Sequence, residues 1–174
     1  MAITDEALRA EVDQVYRGLN DQPQHSAEQV DTVKRIIELH LVAFKYYDFD
    51  RIKLLVDENY KQHSVFVRDG QESIIDMAKM MKQWASKQWS RSETPHIQMN
   101  IKRILVDDPY VTVHHHSQRW EGDPGNHVID IYRVRNGKVA EHWESVMDIV
   151  PESKLYHNNG QQAISSKTYC NLVS

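Results

Sequence analysis

The sequence predicts an α+β fold, with helices first and an antiparallel meander after them. Three observations predict it. Apolar residues recur at helical spacing through the first half of the chain, as far as Lys87. From Ile97 onward the spacing changes to the alternation of strands. Asn136-Gly137, flanked by β-forming runs, is a strong hairpin signal. A single twisted sheet covered on one face by helices leaves a concave space between the layers, and such spaces house ligands.

Each element has its own warrant. Over residues 4–20, Thr4 and Asp5 are caps for a short helix whose stripe is Leu8, Val12, Val15 and Leu19. Asn20–His25, with Pro23 inside, reads as a linker. Ser26 and Gln29 fit a capping box that opens a longer helix. Its stripe runs Val30, Val33, Ile36, Ile37, His40, Leu41 and Phe44, and stops at Tyr46–Asp50. A short helix then carries Ile52, Leu54, Leu55 and Val56, and Tyr60–Val67 reads as a first strand. Asp69-Gly70 turns the chain into a helix over Glu72–Lys87, bearing Ile74, Ile75, Met77, Met80, Met81 and Trp84. Strands follow from Ile97 to Ile104 and over Tyr110–Trp120, His127–Val134 and Lys138–Val150. Turns at Asp107-Asp108-Pro109, Gly122–Gly125 and Asn136-Gly137 separate them. The organisation is thus a helical extension and linker over 1–25, a domain over 26–150, and a polar C-terminal tail over 151–174.

The totals narrow the function classes. A chain of 174 residues is long enough to bury a core without staples. A net charge of −4 and a pI near 6.2 carry no basic footprint for nucleic acid. No apolar run approaches the length of a membrane span, and the N-terminus lacks the apolar stretch of a signal peptide. The lone Cys170 cannot form an internal disulfide, which fits a reducing compartment, so a cytoplasmic location is expected.

Ten histidines matter only where they converge. On the strand Tyr110–Trp120, alternation puts His114, His116 and Gln118 on one face and Val111, Val113 and His115 on the other. Asp130, Tyr132 and Val134 share a face of the next strand, as do His142, Glu144 and Val146 on the last. If these polar rows face the helices, His114, His116, Asp130, His142 and Glu144 form one site. His63 can enter from the first strand, and His40 from the apolar stripe above. Such a cluster suits proton transfer, because histidine titrates near neutrality and burial raises a carboxyl pKa. The bland readings of the same residues are a semi-buried structural His40, a solvated His114–His116 face, and Trp84, Trp89 and Trp143 in the core or an interface.

The run Ile129-Asp130-Ile131-Tyr132-Arg133 through Asn136-Gly137-Lys138 to Glu141-His142-Trp143-Glu144 resembles the signature strand pair of SnoaL-like proteins. These form a branch of the nuclear transport factor 2-like superfamily. Tyr60-Lys61-Gln62-His63, followed by Asp69-Gly70, resembles their Y-x-Q-H segment and turn. The resemblance covers roughly residues 28–160 and implies a cone of N-terminal helices on a curved, mostly antiparallel sheet enclosing a pocket. Within the superfamily, ketosteroid isomerase implies Asp130 at the oxyanion-hole aspartate, His63 near the general base, and His40 at the oxyanion tyrosine. Glu144 departs from the usual closing aspartate of E-H-W-D.

The expectation is therefore a cofactor-independent enzyme of the cyclase, isomerase or dehydratase type. It would act on a small carbonyl-containing metabolite through an enolate. His63 or His116 would abstract a C–H proton. Protonated Asp130 and His142 would stabilise the enolate, and Glu144 would set the protonation of His142 or return the proton. His40, His114, Gln118, Tyr132 and Trp84 are the candidates for substrate contact. No metal is expected, and the resemblance implies a homodimer formed through the outer sheet face. Two other readings remain: a non-catalytic binding or dimerisation module of the same fold, and a metal-dependent enzyme using His114, His116 and His142.

Overall fold

The computed structural model describes residues 3–88, 95–120 and 122–157. Helix α1 spans Asp5–Arg17 and is capped by Thr4, whose hydroxyl accepts from the Ala7 amide. Helix α2, Ala27–Leu41, opens on a complete capping box between Ser26 and Gln29. It does not stop at Leu41. A π-helical turn over Val42–Tyr46 continues it, and Tyr47 ends that turn in the left-handed region at φ 55°. Helix α3, Phe49–Leu55, leads directly into strand β1, Val56–Gln62. Helix α4 is Gln71–Gln88. Strands β2 (Gln98–Asp107), β3 (Tyr110–Gln118), β4 (Asn126–Arg135) and β5 (Lys138–Asp148) complete the sheet. A single 3-10 turn, Glu152–Lys154, follows. The remaining polar tail, with Asn158-Asn159-Gly160 and Cys170, lies outside the described residues, as does Trp89.

The sheet order is β1-β5-β4-β3-β2, parallel between β1 and β5 and antiparallel elsewhere. The first strand starts earlier than expected and ends at Gln62 rather than Val67. The reason is its parallel pairing with β5, which takes Val56 opposite Val139 and Gln62 opposite His142. Ser64–Val67 is a turn, and Asp69 binds back to the Gln62 amide at 2.9 Å. The β4–β5 hairpin turns at Asn136 and Gly137, both with positive φ, as the two-residue turn requires.

One main core fills the space between the sheet and helices α1 to α4. Its largest fully buried members include Tyr60, Leu8, Ile36, Ile37, Ile52 and Ile75. Leu8 and Val12 bring α1 into that core. Their stripe on α1 is amphipathic and packs along α2. No helix among the described residues is long and apolar enough to cross a membrane.

Candidate functional site

The inner face of the sheet is fixed by cross-strand register. Val113 stands opposite Asp130, which stands opposite Glu144. Val111, Tyr132 and His142 form the next row, and His115, Val128 and Val146 the one after. These rows and the helices enclose a cavity of about 240 Å³. Its walls are mostly apolar, with Phe44, Val56, Ile74, Met77, Met81 and Met99 among them. Its polar lining includes Asp130 with the groups around it and, further along the strands, Ser117, Arg119 and Asn126.

Asp130 is 4% exposed and sits between two imidazoles. His115 Nε2 is 2.9 Å from one carboxylate oxygen and His142 Nε2 is 3.0 Å from the other. Burial works to raise the Asp130 pKa, but the hydrogen bonds from His115 and His142 outweigh it and hold the carboxyl below its usual range. The expectation of a protonated Asp130 is corrected on that ground: two ring N–H donors face it, so it is a carboxylate.

The proton on His142 can be placed. The Ser64 amide donates to Gln62 Oε1 at 3.1 Å, which fixes the orientation of the Gln62 side chain. Gln62 Nε2 therefore donates, to Tyr60 Oη at 3.0 Å and to His142 Nδ1 at 3.1 Å. An Nδ1 that accepts leaves the ring proton on Nε2, aimed at Asp130. The Tyr132 ring stacks on His142 with centroids 4.6 Å apart. Above it, His40 Nε2 lies 2.9 Å from the Tyr132 hydroxyl. Burial drives the His40 pKa down to about 3, with His115 adding to the effect, so His40 is neutral. Burial, then the Asp130 charge, pushes the Tyr132 hydroxyl up.

Glu144 differs from its neighbours. It lines the cavity at the mouth and is exposed. Among the described residues its carboxylate has no hydrogen-bond or ion-pair partner.

Of the residues expected in the site, the structure brings together His40, Asp130, Tyr132, His142 and Glu144. Five others lie elsewhere. His63 is on the outer face, stacked on Trp143 at 4.5 Å and bonded to Glu141 at 2.8 Å. Strand alternation explains it: with Tyr60 and Gln62 inward, His63 must point out. His114 is on the outer face in contact with His127, and burial beside His127 drives its pKa down to about 4. His116 is also outside the cavity, buried under the following turn with Nε2 on the Pro124 carbonyl at 2.7 Å. Gln118 shares that face and donates to the Asp123 carbonyl at 2.8 Å. Trp84 packs in a minor cluster with Ala85 and Ile97, edge-on to Trp120.

Sequence reasoning missed His115, Tyr60 and Gln62. A signal for His115 was present: it shares parity with Val111 and Val113, and a face carrying two valines is the buried one. The Y-x-Q-H segment likewise holds two inward residues, and the histidine is not one of them.

Metal ligation has one candidate group among the described residues. Ligand atoms of Asp130, His142 and Glu144 lie within 4.8 Å of one another. The fit is poor, because Gln62 occupies His142 Nδ1 as a donor and so commits Nε2 to carrying the proton. The alternative metal set of His114, His116 and His142 does not converge, since the first two lie outside the cavity that the third lines.

Comparison with known proteins follows the same lines. No curated protein matches the chain. A Bacillus cereus protein described as a candidate polyketide cyclase superposes with a TM-score of 0.57 at 21% identity, covering 72% of this chain and 80% of that one. A candidate SnoaL-like polyketide cyclase from Jannaschia sp. gives 0.54 at 13% identity, covering 72% and 91%. An NTF2-like protein of unknown function from Burkholderia xenovorans gives 0.54 at 14%, covering 78% and 100%. At these identities the likeness is one of fold. The sequence pattern of the SnoaL-like domain matches residues 34–142, well over half of the chain, and the protein belongs to that family.

Proposed function

We propose that this protein is an acid/base enzyme that enolises a carbonyl compound held in the cavity, and that Glu144 is its base. The observation that carries the reading is the contrast between two carboxylates on adjacent strands. Asp130 is fully engaged by His115 and His142, while Glu144 stands at the cavity mouth with no partner among the described residues. An engaged carboxylate with a lowered pKa is a weak base, whereas an uncommitted one has its lone pairs free for a substrate proton. Glu144 would remove a proton from the carbon next to the substrate carbonyl, and the electron pair would move to the carbonyl oxygen. The resulting enolate has three exits. Reprotonation by Glu144 at another carbon shifts a double bond. Expulsion of a β-hydroxyl, with that proton, dehydrates. Attack on a second carbonyl of the same molecule closes an aldol ring, and the alkoxide so formed takes the proton back from Glu144. The described polyketide cyclases of this fold make ring closure the natural first candidate. Asp130 holds the two imidazoles in place and keeps the cavity floor fixed.

The test does not depend on which exit is taken. Enolisation in D2O exchanges the α-protons of a ketone, which proton NMR follows across a panel of apolar ketones. Exchange above the uncatalysed rate, reduced at least ~100-fold in Glu144→Gln, is expected for the loss of a general base. Wild-type protein that exchanges nothing, or a Glu144→Gln protein as active as wild type, would sink the proposal. A second reading, a non-catalytic binding module, is favoured by the closed hydrogen bonding of Asp130, and the first of those outcomes would support it.

A further inference from the structure

Tyr60 is buried and lines the cavity, and its hydroxyl has an unusual hydrogen-bonding position. It accepts from Gln62 Nε2 at 3.0 Å, so its oxygen is used as an acceptor and its own proton remains to be donated. Among the described residues that proton has no acceptor. The Gln62 amide cannot turn to offer one, because its oxygen takes the Ser64 amide. The neighbouring donors are spent differently: His115 and His142 both aim their Nε2 protons at Asp130. The cavity therefore offers a buried, oriented O–H to whatever enters it.

The lining also limits the charge of the occupant. Arg119 is the one permanent cation among the lining residues described. Its guanidinium is bonded to Asp123 through Nε at 2.9 Å and through one terminal nitrogen at 3.1 Å, and it pairs with Asp148 at 3.3 Å. That single cation already faces two carboxylates, and elsewhere the lining carries the further carboxylates of Asp130 and Glu144. An anionic substrate group would meet no compensating charge and would lose its hydration on entry.

We propose that Tyr60 donates a hydrogen bond to the carbonyl oxygen of the substrate, oriented for it by Gln62, and that the substrate is an uncharged, largely apolar carbonyl compound. This rests on the enolisation reading and deepens it by naming the donor and the substrate class. As charge builds on the carbonyl oxygen, the Tyr60 bond strengthens, because the donor is preorganised in a space that excludes water. Burial first, then the Asp130 and Glu144 charges, pushes the Tyr60 pKa up, which keeps the proton on the phenol. Gln62 is a positioning residue: it touches Tyr60 and His142 and not the reacting atoms.

The test uses two probes of one skeleton, 2-acetylnaphthalene carrying 13C at the carbonyl and 2-naphthoate, bound to the full chain. The ketone is expected to bind at least ~10-fold tighter than the carboxylate, and its carbonyl resonance is expected to move downfield on binding. Tyr60→Phe should cancel that displacement and weaken the ketone about 10-fold, the scale of one lost hydrogen bond. Gln62→Leu, with Tyr60 intact, should reduce the displacement without abolishing it. Naphthoate bound as tightly as the ketone would overturn the uncharged substrate class. An unchanged carbonyl resonance in Tyr60→Phe, or no ketone binding to wild type at all, would overturn the role of Tyr60. Failure here with intact α-proton exchange leaves Glu144 standing, and loss of exchange with intact binding removes Glu144 and keeps Tyr60.

Discussion

At the scale of single residues, the site is a set of protons with assigned places. His40 gives the most direct prediction. Its pKa in the folded protein is about 3, against 6.5 for an ordinary histidine, so the unfolded chain takes up the proton first. Stability is whole above the unfolded value and falls as pH drops from there toward the folded one. Denaturant melts between neutral pH and pH ~4 should lose up to ~1.4 kcal/mol per pH unit from this residue. A His40→Leu protein should show a shallower slope even with lower absolute stability. Asp130→Asn is expected to cost ~2–4 kcal/mol, since an amide cannot accept from both His115 and His142 without turning a donor toward one of them. Urea unfolding at neutral pH measures it. Glu144→Gln, by contrast, should leave the unfolding midpoint unmoved, since the side chain is exposed and unpaired among the described residues.

At the scale of elements, the close turn before β4 has a glycine for a steric reason. A Cβ at Gly125 would lie 2.3 Å from His116 Nε2 and 2.3 Å from the Ser117 carbonyl oxygen, and φ there is +90°. Gly125→Ala should therefore destabilise by more than ~2 kcal/mol, whereas a glycine with open space around it loses only its backbone freedom. Removal of the α2 cap by Ser26→Ala should cost ~1 kcal/mol. Both are read by equilibrium denaturation. The elements were largely legible in the sequence because their signals are local. The capping box at Ser26, the hairpin at Asn136-Gly137 and the period of α4 all depend on neighbours in the chain. Strand parity was legible too, on β4 and β5. It failed on β3 and β1 because alternation says which residues share a face, while the inward side is set by packing across the sheet, for which β3 offered only its two valines as a local sign. His115 and not His114 or His116 meets Asp130, and Gln62 and not His63 meets His142. The extent of β1 was hidden as well, because its parallel partner lies at the far end of the chain.

At the scale of the molecule, the helix α1 is part of the structure that holds the site. Leu8 is 1% exposed and lies in the same core as Ile36, Ile37 and Tyr60. Leu8→Ala should cost ~2–5 kcal/mol, as for a fully buried leucine in a packed core, and calorimetry or urea unfolding would show it. The fold class followed from the order of periods along the chain, and the family from the hairpin between β4 and β5. The cavity did not follow from either, since it is made where all five strands meet α2, the π-helical turn and α4 across long sequence separations.

The sheet order places β1 at an edge, held by β5 alone. Yet β1 carries both Tyr60 and Gln62, so part of the cavity's polar lining is mounted on a border strand while Asp130 and Tyr132 sit on an interior one. Amide deuteration should reach the β1 residues well before those of β4, because opening a border strand needs only one ladder to part. A covalent tether from β1 to α4 should slow that exchange on β1 and leave the protection of β4 unchanged.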